Sequence, residues 1–284
     1  MIARSLNDEI KSSISIAPQI KKMLNNTIGM FSFALWDKKS KELIIARDRM
    51  GEKPVYYGWS NNNFIFGSEL HSIEAFHLFQ NSICRSALNL YMRYLYVPAP
   101  YSIYKNIYKL EPGKYLTISA KTKSPIIKTW WNIDNKRQKY INENLLKDEN
   151  EIIKKLDSLL TSAVREQMLA DVPIGSLLSG GMDSSLITAI MQKQSNNPIN
   201  SFTIGFEEDD FNEAHYAKSI ANHLSTSHNE LFVTSNEAKK VIPKLSEIYD
   251  EPFADSSQIP TFLVSEMTSQ KVTVSLSGDG GDEL

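Results

Sequence analysis

The chain has 284 residues, and its 31 Lys and Arg residues against 33 Asp and Glu residues give a formal net charge of −2. This near balance argues against binding to nucleic acid or to a membrane surface through net charge. The single cysteine, Cys84, excludes an intrachain disulfide and a metal site built from a CxxC pair. The 42% hydrophobic share, without a signal peptide or a long apolar run, predicts a soluble cytoplasmic protein.

The first part of the chain is predicted to be rich in strands. Between residues 28 and 69, short aromatic and β-branched runs alternate with turn residues, a pattern typical of an antiparallel meander. Apolar residues at helical spacing predict a helix over residues 85–96, and a further strand is expected at residues 114–119. Residues 121–150 are polar and have the composition of a linker.

From residue 151 onward, helices alternate with short apolar strands. Apolar residues from Ile152 to Met168 form a helical stripe, and strands are predicted at residues 174–178, 199–206, 228–233 and 271–276. This alternation predicts a doubly wound parallel sheet with right-handed crossovers. We therefore expect an α+β and α/β protein of two domains, residues 1–125 and 151–284, with residues 126–150 as the linker.

The most specific motif is LLSGGMDSS, residues 177–185, which joins an apolar strand to an apolar helix. Such a loop directs backbone N–H groups and the helix dipole at one point, and its glycines allow an anion to approach closely. It is not a Walker A loop, because GxxxxGK[ST] is absent. Ser-Gly-Gly alone is a common turn, but the whole run after a buried strand indicates a phosphate site.

A second motif, SGDGGDE at residues 277–283, also follows an apolar strand. Alone, such a string is more often a solvated acidic turn. The carboxyl ends of neighbouring parallel strands meet at one crevice, so we expect this loop to lie beside the first one. This arrangement would also bring Asp183 and Asp282 close together.

These motifs carry a resemblance that covers nearly the whole chain. SGGxDSS resembles the pyrophosphate loop of the N-type ATP pyrophosphatases, and DVPIGSLLSGGMDSSLI resembles the glutamine-dependent asparagine synthetase family in particular. Upstream, GMFSFALWDKKSKELIIARDRMGEKPVYYGW, FIFGSE and KLEPGKY are similar to the later part of that family's N-terminal-nucleophile glutaminase domain. Downstream, SFTIGFEE, FNEAHYAKSIANHL, DEPFADSSQIPT and VSLSGDGGDEL are similar to the following synthetase segments.

The resemblance implies a ligase that activates the carboxylate of aspartate with ATP and Mg²⁺, releases pyrophosphate, and lets ammonia from glutamine displace AMP. Its partners would be these small molecules and, in a homodimer, a second copy. The residues implied are, for pyrophosphate, Ser179, Gly180, Gly181, Asp183, Ser184 and Ser185; for adenine and ribose, Leu178, Ile204 and Gly278; in the second loop, Ser277; for magnesium, Asp183 and Asp282; and for catalysis, Asp279 and Asp282.

The chain also departs from the family's pattern. Family glutaminases use a cysteine directly after the initiator methionine, whereas Ile2 follows Met1 here, and the chain stops at Leu284 just after the second loop. We therefore expect an internal segment of a longer protein. It should bind ATP with magnesium but hydrolyse no glutamine, because Cys84 lies in mid-chain without a free α-amino group as base.

Other readings of the chain stay open. A related adenylating amidotransferase or a β-lactam-forming synthetase would share both loops and differ in the acceptor pocket. A non-catalytic nucleotide-binding remnant would explain the missing nucleophile. A plain α/β scaffold would leave the two matched loops without a purpose.

Several residues have a structural interpretation beside the functional one. Asp250, Glu251 and Asp255 lie where the family lines its acceptor site, but each could cap a helix. The spacing of the histidines matches no zinc pattern, and the 47–49 run, Arg-Asp-Arg, favours a structural pair at a strand end. Cys84 is expected to be a half-buried, inert thiol.

Overall fold

The computed structural model describes residues 17–142, 148–206 and 213–281. The chain forms two compact units, Met1–Leu145 together with Tyr249–Ala254, and Leu146–Ile248 together with Asp255–Leu284. None of the described helices is long and apolar enough to span a membrane.

The first unit contains two antiparallel sheets, as the strand-rich pattern predicts. One has the strand order β1-β2-β6-β7 and the other β4-β3-β5. The strands are β1 (Ser32–Asp37), β2 (Glu42–Arg47), β3 (Tyr56–Ser60), β4 (Asn63–Gly67), β5 (Ile107–Lys109), β6 (Lys114–Ser119) and β7 (Thr122–Thr129).

The predicted meander consists of two hairpins that belong to different sheets, because the chain turns sharply between β2 and β3. The fully buried carboxylate of Asp48 accepts hydrogen bonds from the N–H groups of Gly51 (2.6 Å), Glu52 (2.9 Å) and Lys53 (2.9 Å). The Arg47 guanidinium donates to backbone carbonyls, including that of Leu110 at 2.6 Å. These bonds fit the structural role expected of residues 47–49.

Within the described residues, four helices accompany these sheets: α1 (Ala17–Asn26), α2 (Leu70–Glu74), α3 (Arg85–Tyr94) and α4 (Ile133–Asn142). The predicted helix at residues 85–96 ends at Tyr94, because Leu95 adopts a left-handed conformation with φ 65°. The polar stretch 121–150 differs from a plain linker, since β7 and α4 lie within it. All four tryptophans, Trp36, Trp59, Trp130 and Trp131, belong to this unit.

The second unit alternates helices and parallel strands, as expected. Its sheet has the order β10-β9-β8-β11. The elements are α5 (Glu149–Gln167), β8 (Ile174–Leu177), α6 (Met182–Gln194), β9 (Asn200–Phe206), α7 (Ala214–Leu224), β10 (Ser227–Val233), α8 (Ser235–Val241), a 3₁₀ turn (Ile242–Lys244), α9 (Leu245–Ile248), α10 (Gln258–Ser269) and β11 (Val274–Leu276).

Packing between α6, β8 and β9 fixes the end of β8, where the loop to α6 begins. Phe202 and Met191 are buried, and a Cβ at Gly175 would lie 2.6 Å from the Phe202 ring, so only glycine fits at that place in β8. Beneath the loop, the buried hydroxyls of Ser176 and Thr188 share a hydrogen bond of 2.7 Å. These contacts hold the end of β8 against the first turns of α6.

Strands β8 and β11 are direct neighbours, although about a hundred residues separate them in the chain. They pair in parallel, with Leu276 opposite Ser176. The loops that follow them therefore start side by side at the carboxyl edge of the sheet, which is where such sheets bind ligands.

Candidate functional site

The loop after β8 leads into the N-terminus of α6, where backbone N–H groups are unpaired. Gly180 has φ +93°, and Gly181 is the N-cap of α6, where it offers no side chain to bond the first turn. The N–H groups of Met182 and Asp183, in the first turn of α6, donate no hydrogen bond to another described residue. The first turn of a helix has unpaired N–H groups and the positive end of the helix dipole, so this loop suits an anion.

Hydroxyl groups fix the shape of the loop from inside. Ser179 Oγ and Ser184 Oγ lie 2.9 Å apart, and the Gly181 N–H donates to Ser179 Oγ at 3.3 Å. The hydroxyls of Ser184 and Ser185 donate to the Gly181 carbonyl at 3.2 and 2.6 Å. The loop is thus held by its own side chains before any ligand is present.

The loop after β11 meets the first loop through a glycine. A Cβ at Gly278 would lie 2.6 Å from the Ser184 backbone nitrogen, and one at Gly281 would lie 3.0 Å from Asp183 Oδ1. Asp279 receives a hydrogen bond from Ser277 Oγ at 3.0 Å, which stiffens the turn. The two motifs predicted to lie together are therefore in contact at this edge of the sheet.

A cavity of about 260 Å³ opens beside the two loops. None of the described residues that line it is a lysine or an arginine, whereas two carboxylates, Glu213 and Asp279, do line it. An anionic ligand would be repelled by these carboxylates, so backbone N–H groups and a cation would be needed to offset their negative charge. The lining residues are Leu177, Leu178, Ser179, Ser184, Phe202, Thr203, Ile204, Phe206, Glu213, Pro260, Thr261, Val264, Ser277, Gly278 and Asp279.

Seven of the residues predicted for the site line this cavity: Leu178, Ser179, Ser184, Ile204, Ser277, Gly278 and Asp279. Gly180 and Gly181, in the adjoining loop, and Asp183 and Ser185, in the first turn of α6, do not line it. Asp282 lies outside the described residues. Its convergence with Asp183 therefore stays a prediction.

Sequence reasoning missed other residues of the cavity wall. Phe206 follows Ile204 at the spacing of two that puts both on one face of a strand, so alternation would have found it. Thr203 Oγ1 donates to the Leu178 carbonyl and ties β9 to the loop. Pro260 and Thr261 come from the first turn of α10, and no local signal marks them.

The described histidines lie beside other side chains or at the surface. Among the described residues, no three His, Cys, Asp or Glu side chains come together to hold a metal ion. The rings of His215 and Tyr216 are tilted by 41° with their centroids 3.9 Å apart, and His223 is exposed. His228 Nδ1 lies 2.8 Å from Ser201 Oγ, and burial lowers the pKa of His228.

Cys84 and the acidic residues of DEPFAD also have structural partners. Cys84 is half-buried and packs against the apolar cluster around Leu70. Asp255 accepts a hydrogen bond from the Ser257 N–H at 2.8 Å, just before α10. Asp250 bonds the Leu70 N–H at 2.7 Å and so caps a helix of the first unit, α2, while Glu251 pairs with Lys109.

Comparison with known proteins accounts for both units. Residues 155–284 match the family described as asparagine synthase, and residues 17–131 match the glutamine amidotransferase domain. A putative asparagine synthetase (glutamine-hydrolyzing) 2 of Methanocaldococcus jannaschii is 38% identical over 90% of this chain and 49% of its own length.

Two further asparagine synthetases are similar to this chain. The asparagine synthetase (glutamine-hydrolyzing) 1 of Bacillus subtilis is 34% identical over 90% of this chain and 39% of its own length. A putative asparagine synthetase of Mycobacterium bovis is 32% identical over 93% of this chain and 40% of its own length. The chain thus spans half or less of the length of these relatives. Its two matched regions, in this order, and the relatives along nearly its whole length lead to one conclusion: the chain belongs to the asparagine synthetase family.

Proposed function

We propose that the chain is part of an enzyme that amidates aspartate to asparagine through an aspartyl-adenylate, with ATP as activating substrate and glutamine or ammonia as nitrogen donor. One observation carries this: two glycine-containing loops touch at the carboxyl ends of the neighbouring strands β8 and β11, with Gly278 against the backbone of Ser184. That arrangement gives one cavity with anion-binding N–H groups on one side and a carboxylate, Asp279, on the other.

The chain's own groups suit the reaction's first half. The N–H groups of Met182 and Asp183 would hold the pyrophosphate portion of ATP, and the backbone near Leu178, with Ile204, would hold the adenosine portion. An oxygen of the aspartate side-chain carboxylate then attacks the α-phosphorus, and the bond from this phosphorus to the bridging oxygen of pyrophosphate breaks. Donors already in place at the leaving group stabilise the charge that develops there.

In the second half, ammonia attacks the acyl carbon of the adenylate. The bond between that carbon and the AMP oxygen breaks, and the nitrogen loses a proton. Asp279 lines the cavity and is held by the Ser277 hydroxyl, so it is positioned to interact with the ammonium-like nitrogen. The match of residues 17–131 to an amidotransferase domain supports glutamine as the source of this ammonia in the enzyme of which the chain is part.

Magnesium fits the residues of this site. The described lining residues include two carboxylates and neither lysine nor arginine, so a bound triphosphate would meet uncompensated negative charge. Asp183, beside Gly281, would hold the ion, and Asp282 would join it. Hard divalent cations prefer such oxygen ligands, and a bound ion would screen the phosphate charge.

The test measures pyrophosphate release by the 284-residue chain with Mg-ATP, ammonium and one carboxylate at a time. We expect release that depends on aspartate and magnesium, together with formation of asparagine. Glutamate and β-alanine serve as matched carboxylates. Preference for another carboxylate would move the chain to a related adenylating reaction, and ATP binding without any carboxylate-dependent release would contradict adenylation.

A second arm of this test replaces ammonium by glutamine. Cys84 is the only thiol, it packs against an apolar cluster in mid-chain, and its nitrogen is part of a peptide bond that donates to the Ile103 carbonyl at 2.7 Å. We therefore expect this chain to use ammonium and not glutamine. Glutaminase activity that is lost in Cys84→Ser would contradict this expectation.

A further inference from the structure

A second cavity, of about 270 Å³, lies within the second unit. It opens between strand β10, helix α8, the 3₁₀ turn and helix α10, and none of its described lining residues lines the cavity beside the two loops. We call it the outer cavity, because β10 is the edge strand of the described sheet. Its lining residues are Leu231, Val233, Glu237, Lys240, Val241, Lys244, Phe262, Leu263 and Glu266.

Helix α10 contributes to both cavities from opposite sides. Phe262, Leu263 and Glu266 line the outer cavity, whereas Thr261 and Val264 line the cavity beside the loops. With about 3.6 residues per turn, these two sets lie on opposite faces of the helix. The two cavities are therefore separate, and a ligand in one leaves the other open.

The apolar part of the outer cavity comes from three elements. Leu231 and Val233 are two positions apart on β10, so their side chains lie on one face of the strand. Val241 ends α8, and both valines are buried. Phe262 and Leu263 complete this part from α10. These five side chains have no hydrogen-bonding group, so they favour an apolar ligand group and offer a polar one no partner.

The charged part of the lining has two groups of each sign: Glu237, Lys240, Lys244 and Glu266. The carboxylate of Glu237 already accepts hydrogen bonds from the N–H and the hydroxyl of Thr234, each at 2.9 Å. Among the described residues, Lys240, Lys244 and Glu266 form no ion pair. Two ammonium groups and one carboxylate are thus available to a ligand.

This balance of charges selects the class of ligand. A phosphate or a nucleotide would meet two carboxylates here, and a simple amine would meet two ammonium groups. A zwitterion suits both signs, because its carboxylate accepts charge-assisted hydrogen bonds from the lysines and its ammonium group donates to Glu266. Drug-sized ligands occupy cavities of about 300–1,000 Å³, so about 270 Å³ suits a smaller molecule.

We propose that the outer cavity binds a free α-amino acid with an aliphatic side chain of the size of leucine. Its carboxylate lies at Lys240 and Lys244, its ammonium group at Glu266, and its side chain against the apolar residues of β10, α8 and α10. This ligand differs from the proposed substrate, since the side-chain carboxylate of aspartate would meet only apolar side chains there. The inference thus adds a second amino-acid site and does not depend on ATP.

Titration calorimetry of the full chain without nucleotide tests the proposal. It compares L-leucine with three compounds that each lack one of its parts: isocaproate lacks the ammonium group, isoamylamine the carboxylate, and glycine the side chain. We expect L-leucine to bind saturably at one site per chain and the other three to bind at least tenfold more weakly. Saturating Mg-ATP should leave the number of leucine sites unchanged, because the two cavities are separate.

Charge variants locate the bound molecule. Glu266→Gln should weaken leucine binding at least tenfold but leave isocaproate binding unchanged or stronger, because isocaproate has no ammonium group. An unfolded protein would lose both. Lys240→Gln should weaken both ligands at least fivefold. The matched controls, Lys239→Gln and Glu247→Gln, change exposed residues that do not line the outer cavity and should bind leucine as wild type does.

Three results would overturn the inference. These are wild-type leucine affinity in both Glu266→Gln and Lys240→Gln, equal affinity of wild type for leucine and isocaproate, and loss of the leucine site when Mg-ATP is bound. Absence of saturable leucine binding would overturn it as well. A wild-type chain that binds Mg-ATP but not leucine refutes only this inference, whereas one that binds leucine but not Mg-ATP contradicts only the proposed function.

Discussion

At the level of single residues, Asp183 could stabilise the N-terminus of α6 or bind a metal ion. It is the second residue of α6, where a negative charge interacts favourably with the helix dipole by about 0.3–1 kcal/mol. Its carboxylate also lies beside the position of Gly281 in the second loop. A helix-terminal role predicts an effect on stability, whereas a metal-binding role predicts an effect on magnesium-dependent affinity.

We predict that Asp183→Asn weakens Mg-ATP binding at least tenfold and changes the thermal midpoint little. The substitution keeps the shape of the side chain but removes an oxygen ligand of the cation. Titration calorimetry with and without magnesium, beside thermal unfolding, measures both effects. Asp157→Asn, on the exposed side of α5, is the control. Affinity equal to wild type would contradict the metal-binding role.

Gly278 tests the contact between the two loops. An added Cβ would approach the Ser184 nitrogen to 2.6 Å and the Asp183 carbonyl carbon to 2.7 Å, so backbone would have to move. Overpacking of this kind costs about 1–3 kcal/mol. We predict that Gly278→Ala lowers the unfolding free energy by that amount and weakens ATP binding at least tenfold.

Gly280→Ala separates this contact from backbone strain in the same loop. Gly280 has φ +81°, but an added Cβ would meet nothing within 4 Å. We therefore expect some loss of stability and ATP affinity within threefold of wild type. Equal losses of affinity in both variants would show that strain, and not the contact, governs the site.

At the level of elements, local patterns predict most of what builds the site. The apolar run of β8, the glycines after it and the apolar helix that follows are adjacent in sequence, so the strand–loop–helix unit could be predicted. A general rule places the loops at the carboxyl ends of neighbouring parallel strands at one crevice, and the structure shows that the loops after β8 and β11 meet.

What sequence patterns could not predict depends on contacts between distant residues. Asp250 caps a helix 180 positions away in the chain, and nothing around Leu70 signals that its donor is satisfied from there. Strand β7 lies in a polar stretch because its side chains are mainly exposed, so composition alone favours a linker. Burial, and not propensity, decides such positions.

Strand β10 carries a histidine, His228, whose pKa is shifted by its surroundings. Burial lowers the pKa of His228, while Glu230, at 3.5 Å from Nε2, raises it, and Lys218, paired with Glu230, lowers it. Because the folded pKa lies below the unfolded one, the unfolded state binds more protons in the window between them. Acidification from about the ordinary pKa of histidine downward therefore removes stability.

We predict that the thermal midpoint of wild type falls more steeply between pH 7 and pH 5 than that of His228→Gln. The exposed His223→Gln is the matched control and should follow the wild-type slope. Thermal unfolding at several pH values in a common buffer series measures this. Parallel curves for His228→Gln and wild type would contradict the prediction.

At the level of the whole molecule, each described core cluster consists of residues from one unit. The three clusters around Ile44, Leu70 and Leu116 belong to the first unit, and those around Leu178, Met191 and Phe202 belong to the second. The four tryptophans belong to the first unit, whereas helices are present in both. Tryptophan fluorescence therefore follows one unit, and far-ultraviolet circular dichroism follows both.

We predict that Mg-ATP raises the midpoint seen by circular dichroism more than the midpoint seen by fluorescence. Ligand at a hundred times its Kd stabilises the state that binds it by about 2.7 kcal/mol, and the cavity lies in the second unit. Parallel melts with both probes test this, with ADP lacking magnesium as control. An equal shift in both signals would mean that the units unfold as one.

The anion-binding groups of the first loop are main-chain N–H groups, held in place by short hydroxyl side chains. A backbone N–H donor remains when the residue is substituted, provided that the new residue can adopt the same backbone conformation. Evolution can therefore alter much of the surrounding sequence without removing the donors, whereas it has little freedom at Gly278, where a single methyl group would enter another backbone. In this site, the path of the backbone therefore constrains the sequence more than any set of functional side chains does.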